Sequence, residues 1–492
     1  MSESRLSIFA LIEKFADSWL VLAGILLLTF AVYARTLDGW FRADDFWQLH
    51  SARDTPLGQF IVEALDFRDR DPVPQFGFYR PLFVITIKFS YELFGLNATA
   101  YHAVNVALHL GSVALVWFIM RRLISLPTAS AVATVIFALH PAYAETVTWI
   151  ARVNMLTATF AYLMCFLFFL KYMDGGRHKR TWYAASVIAF AAAVLYHPTT
   201  VTLVVLLPAT VFLMIRRPEE ALRPRSWLPF IPFILIAIAI MLLQVWVRRE
   251  YGMDQAFRFG WHQYAVYGEY LGLTALPILG RDWVDLHLVN PEYQQMVQGL
   301  ASLFMIVIAW FLLDRRRFPY VGVLATLWLF TALGPNSTAV SFGALPPQLY
   351  LPGVSIGLFF VIGGQLFWGS ITLVLSDRAK RVALGCVRAG AVVVLGLMIF
   401  GVVVHQGHTL DDSHENQRFI AQLRQDVQTL EPGGTLYVLN PPFNLRVFNT
   451  NALQSAVNLY FGEVEVIVIG PVEAEELKAT LGPNEAIFRH RP

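Results

Sequence analysis

Apolar runs recur along the chain at a length that no soluble helix face requires. They are Trp19–Leu37, Ala100–Met120, Ala129–Tyr143, Val153–Tyr172, Trp182–Tyr196, Thr199–Ile215, Trp227–Val247, Val297–Leu313, Tyr320–Leu333, Leu349–Trp368 and Val382–Val404. A helix needs roughly 20 apolar residues to cross the hydrocarbon core, and somewhat fewer inside a bundle. By that criterion the chain reads as an α-helical polytopic membrane protein with about eleven spans. Composition agrees: of 492 residues, 56% are hydrophobic and 15% charged, whereas a soluble domain is about one-quarter charged. The net charge of +2 argues against a nucleic-acid partner.

Charge distribution sets the orientation. Arg121-Arg122, the group Arg177 to Arg180, Arg216-Arg217 with Arg223 and Arg225, Arg315 to Arg317, and Arg378 to Arg381 fall on one side if the spans alternate. The positive-inside rule puts that side in the cytoplasm. The N-terminus is then cytoplasmic, the first run an uncleaved anchor and the C-terminus extracytoplasmic. Arg248-Arg249 breaks the rule on the outer side. Cys165 and Cys386 sit in apolar runs and read as small membrane residues, neither disulfide nor metal ligands.

The expected division is a transmembrane domain over residues 1–406 and a small extracytoplasmic α/β domain over 407–492. The outer side carries a first loop (38–99), a second large loop (248–296) and the tail. Within the first loop, Pro81–Phe94 contains Lys88 and Glu92 and reads as lying at the interface. Tyr264–Leu279 in the second loop reads similarly. In the tail, Asp411–Leu430 reads as a polar amphipathic helix. Thr435–Leu439 and Val464–Ile469 read as buried strands, with Ala452–Tyr460 helical between them.

Polar residues at helix mouths are the candidate site. Asp44-Asp45 follows the first helix beside Phe46 and Trp47. The pair can supply a general base or ligate a divalent cation; it can equally cap the helix that follows. Arg80 in Tyr79-Arg80-Pro81 suits a lipid phosphate, or anchors the interface with Tyr79. His102, Asn105 and His109 share one helix face, as a site wall or a hydrogen-bonding seam; the seam reading is preferred for His109. His140-Pro141 ends a span, and Glu145 and Arg152 after it share a face and can pair. His197-Pro198 repeats the break. Arg248, Arg249 and Arg258 add outer positive charge that an anionic ligand would explain.

The order of these motifs resembles a known family: an Asp pair after an inward-starting helix, then YRPL (Tyr79–Leu82), HxxNxxxH (His102, Asn105, His109), HPxxxExVxWIxxR (His140 to Arg152) and LYLP (Leu349–Pro352). Together they resemble the membrane glycosyltransferases of the C (GT-C) superfamily, in the branch of protein O-mannosyltransferases and their tetratricopeptide-bearing relatives. The resemblance runs from Trp19 to Trp368. It implies a GT-C type fold and a polyprenyl- or dolichyl-phosphate-linked sugar as donor. Transfer goes with inversion to a protein, lipid or glycan acceptor on the outer face. It maps the base onto Asp44, with Asp45 beside it, and the phosphate grip onto Arg80. Tyr79, His102, Arg152, Arg248, Arg249 and Arg258 are grouped with donor binding. Asn105, His140, Glu145, His197 and Tyr350 are grouped as site-lining. The resemblance implies no cofactor; the divalent cation that Asp44 and Asp45 could hold stays an open reading of the pair itself.

The chain departs from the family at His197-Pro198, where relatives often carry Lys-Glu. It departs again at Asn154, where many have Asp, and at Pro347, where many have Arg. Where relatives carry tetratricopeptide repeats, this chain has the α/β tail, and a bacterial inner membrane is the expected location. Two rival functions remain: a flippase or transporter of a lipid-linked sugar, which would be expected to show internal repeats and broken mid-membrane helices, and a non-catalytic binding member of the fold.

Overall fold

The computed structural model describes residues 17–66, 78–124, 126–215, 218–250, 260, 262–275, 320–337, 346–427, 431–447, 450–478, 480–482 and 484–490. In chain order the helices are α1 (Trp19–Tyr33), α2 (Asp44–Asp54), α3 (Leu57–Leu65), α4 (Pro81–Phe94), α5 (Ala98–Leu123), α6 (Pro127–Leu139), α7 (Ala144–Thr148), α8 (Val153–Met173), α9 (Lys179–Tyr196), α10 (Leu203–Thr210), α11 (Ile231–Glu250), α12 (His262–Ala275), α13 (Val321–Ser337), α14 (Gly353–Val374) and α15 (Asp377–Asp426). The tail follows as β1 (Thr435–Leu439), α16 (Phe443–Val447), α17 (Thr450–Phe461), β2 (Glu465–Val468), α18 (Pro471–Leu477) and β3 (Glu485–Arg489).

Among the described residues, 7 helical stretches are long and apolar enough to cross a membrane. The protein is an integral membrane protein. Four of the expected spans do not stand among these stretches. The run Ala129–Tyr143 yields the 13-residue α6, because His140-Pro141 stops it. Trp182–Tyr196 falls in α9, Tyr320–Leu333 falls in the 17-residue α13, and Val297–Leu313 lies outside the described residues. The stretch Ile150–Met173, which ends in α8, is the centre of the bundle, with 78% of its apolar window buried, while α15 lies at the edge with 17%.

Local chemistry sets the breaks. At both His-Pro steps the imidazole accepts a hydrogen bond from the backbone N–H two residues on, Ala142 in one case and Thr199 in the other. The proline then occupies the first helical position, where its missing N–H costs nothing. At the opposite end of the bundle Arg121 pairs with Asp17 and Arg122 with Asp174. These pairs gather the start of α1 and the ends of α5 and α8 at the end that carries the basic clusters.

Helix α4 packs against α2 through its charged residue. Lys88 is buried, donating to the Ala52 carbonyl at 2.6 Å and pairing with Glu92 at 2.7 Å. The buried ammonium fastens α4 to α2.

The tail holds a three-stranded parallel sheet in the order β2-β1-β3, with Thr435 opposite both Glu465 and Glu485. Parallel neighbours need crossovers, which α17 and α18 provide. The third strand was not anticipated. The tail's core is shared with the first loop: Phe41, Phe46, Leu49 and Tyr101 pack in one cluster with Phe419, Leu436, Val457 and Phe488. Arg53 of α2 donates to the carbonyls of Asn458 and Leu459, both at 2.8 Å.

Candidate active site

The Asp pair divides. Asp45 is 1% exposed. Its Oδ2 accepts from the Arg42 amide at 2.9 Å and its Oδ1 from the Ala151 amide at 2.8 Å. Burial pushes its carboxyl up to about 7, against the pull of those amides and of the Arg42 guanidinium. Neither aspartate caps α2, whose first-turn position they share; the residue before them, Ala43, adopts φ 44°. A non-glycine residue at positive φ is strained and persists only where its surroundings impose it. Here Asp45 and the buried Phe41 and Phe46 hold the turn.

Asp44 is half-buried and turns the other way. Burial raises its pKa, while Arg152 first, then the Trp47 side chain, Arg42 and Arg80 pull it down. Arg42 and Arg152 lie against the Trp149 ring, at 4.6 and 4.5 Å from its centroid. Arg42 also donates to Glu145 at 3.0 Å and stands 3.8 Å from Asp412 of α15. Its Nε and Nη1 are buried without a hydrogen-bond partner among the described residues.

Arg80 lies over Phe78 at 5.0 Å and Phe83 at 5.5 Å, and Arg248 lies over Phe78 at 5.0 Å. Burial and the neighbouring Arg152 lower the Arg80 pKa to about 10, which leaves it charged at neutral pH. His197 feels both Arg80 and Arg152. The structure thus sets Asp44 in the field of three guanidiniums, those of Arg42, Arg80 and Arg152, with a fourth, Arg248, beside Phe78.

Several expected members stand elsewhere. Tyr79 is held by its backbone, and its hydroxyl donates to the Leu65 carbonyl at 3.0 Å. His102 packs behind Gly39, where an added Cβ would meet its Nε2 at 2.7 Å. Asn105 donates to the Trp149 carbonyl at 2.9 Å, so it positions the ring beneath the arginines. His109 bonds the Tyr350 hydroxyl at 2.8 Å and the Ala138 carbonyl at 3.0 Å, so both it and Tyr350 belong to the bundle seam. His140 contacts the Thr274 carbonyl at 3.3 Å. Glu145 and Arg152 do not share a helix face, because α7 ends at Thr148 and Trp149 is extended; Glu145 is nevertheless the foremost charge acting on Arg152, and it also bonds Arg42 at 3.0 Å. Arg249 is exposed at the end of α11, and Arg258 lies outside the described residues.

Sequence reasoning passed over Arg42 and Gln244, and it gave Trp149 no role beyond its place in the HPxxxExVxWIxxR motif. Arg42 stands two residues before the Asp pair, but its partner Glu145 is 103 residues away, and no local signal connects them. A cation at Asp44 and Asp45 does not fit the donors present. Both Asp45 oxygens are taken by amides, and Asp44 faces guanidiniums, which repel a metal ion.

Residues 77–246 match the profile of the family described as dolichyl-phosphate-mannose-protein mannosyltransferase. That span includes Arg80, Arg152, His197 and Gln244, and it excludes Asp44. Protein O-mannosyl-transferase Tmtc1 of Drosophila melanogaster is 29% identical over 191 residues, which is 38% of this chain and 22% of Tmtc1. Protein O-mannosyl-transferase Tmtc3 of the same organism is 36% identical over 125 residues, 21% of this chain and 13% of Tmtc3. The chain therefore spans less than a quarter of the length of these curated relatives. The crystal structure of ArnT from Cupriavidus metallidurans bound to undecaprenyl phosphate aligns over 96% of this chain and 89% of its own, at 15% identity and a TM-score of 0.48.

Proposed function

We propose that this O-mannosyltransferase-like membrane protein moves a hexose from a polyprenyl-phosphate-linked donor to an acceptor hydroxyl on the outer face of the membrane, with inversion. The observation that carries the reading is Asp44, half-buried among Arg42, Arg80 and Arg152. A carboxylate set beside several cations, with its pKa raised by burial, is placed to take a proton next to a departing phosphate.

In the proposed step Asp44 takes the acceptor's hydroxyl proton as the acceptor oxygen bonds to the anomeric carbon. The bond from that carbon to the phosphate oxygen breaks, and the phosphate leaves with the electron pair. Arg80 and Arg152 neutralise the growing negative charge, and Arg248, on the same aromatic ring as Arg80, extends the grip. Arg42 keeps Glu145 and Trp149 in place behind them. The polar groups gather at the end of the bundle away from the Arg121 and Arg122 pairs, which favours a one-sided transferase over a flippase.

The test is turnover of a polyprenyl-phosphate hexose, mannose first, by the protein in vesicles. Transfer supports the proposal; translocation without transfer, or binding alone, replaces it with one of its rivals. Arg80→Ala removes charge-assisted bonds worth about 1.5–3 kcal/mol each. It should weaken donor binding more than Arg80→Lys, which keeps the charge and loses the fork. Equal donor affinity in both variants and the wild type takes Arg80 out of the site. For orientation, Glu475 in the tail is 73% exposed. In a Cys386→Ser background, Glu475→Cys should react with an impermeant thiol reagent in intact cells; labelling only after permeabilisation reverses the topology.

A further inference from the structure

Helix α15 runs unbroken from its apolar stretch into the tail, and past that stretch its buried residues change character. Gln406, Thr409, Ser413 and Asn416 recur at intervals of three and four residues, so they share one helix face. All four are buried. Burying a polar side chain costs free energy that only a partner offsets, and each of these finds its partner in a segment next to the proposed site. Gln406 Nε2 donates to the Val32 carbonyl near the end of α1 at 2.9 Å. Thr409 Oγ1 accepts from Thr148, the last residue of α7, at 3.4 Å. Ser413 Oγ accepts from the Trp40 amide at 3.1 Å, and Asn416 Nδ2 donates to the Phe41 carbonyl at 3.2 Å. Their neighbour His414 donates from Nε2 to the Asp38 carbonyl at 3.0 Å.

The link between Asp38 and α2 has no ladder of its own, so its backbone groups need partners from elsewhere. It ends on Ala43 at φ 44°, a conformation that persists only where the surroundings over-determine it. Asp45 secures the Arg42 amide, and α15 secures the two residues before it. Asn416 is braced in turn. Its Nδ2 also donates to Asn444 Oδ1 at 2.8 Å, and Asn444 Nδ2 donates to the Asp412 carbonyl at 3.4 Å. Asn444 belongs to α16, so the fold of the tail stiffens α15 at the level of the turn.

We infer that Ser413 and Asn416 are positioning residues for the proposed transfer: they hold Trp40 and Phe41, and through the turn at Ala43 they set where the Asp44 carboxylate stands. The inference rests on Asp44 as the base. It gives the tail, which lies outside the matched residues 77–246, a part in turnover without contact with substrate. The donor grip proposed for Arg80, Arg152 and Arg248 is carried by other segments and survives the loss of these bonds.

The experiment compares Ser413→Ala and Asn416→Leu with Arg53→Gln, each in the full chain in vesicles. Arg53 ties the tail to the far end of α2, so Arg53→Gln loosens the same docking without touching the turn. Ser413→Ala and Asn416→Leu should lower kcat by about 10–10²-fold, the scale of a misplacement of about 1 Å, and leave the KM for the lipid-linked donor unchanged. Hydrogen exchange over residues 38–46 should quicken in both. Arg53→Gln should keep kcat whatever happens to its Tm. If Asn416→Leu fails to fold, Ser413→Ala, which removes a single oxygen, carries the comparison. A kcat loss in Arg53→Gln as large as in Ser413→Ala overturns the inference, because general loosening then accounts for both. Asp44→Asn separates the two remaining failures. An active Asp44→Asn removes the base and this inference with it, whereas an inactive Asp44→Asn beside a fully active Ser413→Ala and Asn416→Leu removes the positioning role alone.

Discussion

Gln244 grips the backbone of Tyr79 from both sides, accepting from its N–H at 3.1 Å and donating to its carbonyl at 2.6 Å. One side chain of α11 thereby fixes the residue before Arg80, at the point where the chain enters α4. A buried amide used this way supplies both partners that an extended residue needs.

Gln244→Ala should therefore loosen the segment that presents Arg80. Two lost bonds, with the Tyr79 amide and carbonyl left to find other partners, cost about 1–3 kcal/mol. The expected kinetic signature is a raised KM for the lipid-linked donor, with kcat less affected. An unchanged KM beside a lowered Tm would make Gln244 a purely structural clamp.

The two aspartates should fail in different ways. Asp44→Asn removes basicity from a side chain that accepts no backbone amide among the described residues, so turnover should fall about 10²–10⁴-fold with little change in Tm. Asp45→Asn turns an NH₂ group toward either the Arg42 or the Ala151 amide, leaving a buried donor unmet at about 1–3 kcal/mol, so the Tm should drop. Paired measurement of Tm and turnover on both variants checks the division. A dead but stable Asp45→Asn together with an active Asp44→Asn would reverse the roles.

The pH profile follows from the surroundings of Asp44. Its pKa stands above the ordinary carboxylate value, and a base works only when ionised, so kcat/KM should fall as pH drops through that raised pKa. Arg152 is the strongest influence holding it down. Arg152→Gln removes a cation that favours the carboxylate, so the acid limb should move to higher pH, beyond any uniform loss of rate. An acid limb that stays in place in Arg152→Gln would detach the titrating group from Asp44.

Much of the local structure was legible. Pro81 at the first turn and Gly95 at φ 54° bound α4, and both are punctuation that a sequence shows. The strand Thr435–Leu439 has the same bounds read from its apolar run. Strand β3 was missed because its apolar residues are few and run into Arg489, His490 and Arg491, which hide a two-residue period. The burial of Lys88 was not legible for a related reason: the acceptor of its ammonium is the Ala52 carbonyl, 36 residues away.

The sequence by itself determined the solvent, the two His-Pro helix breaks and the collection of polar motifs at helix mouths, because apolar run length, proline and basic flanks act over a few residues. Only the tertiary structure decided which of two adjacent aspartates is tied to backbone amides. Asp44 and Asp45 share a residue type, a helix turn and neighbours in sequence. They part because the Ala151 amide, 106 residues away, takes Asp45, while Arg152, the next residue along, places its charge by Asp44.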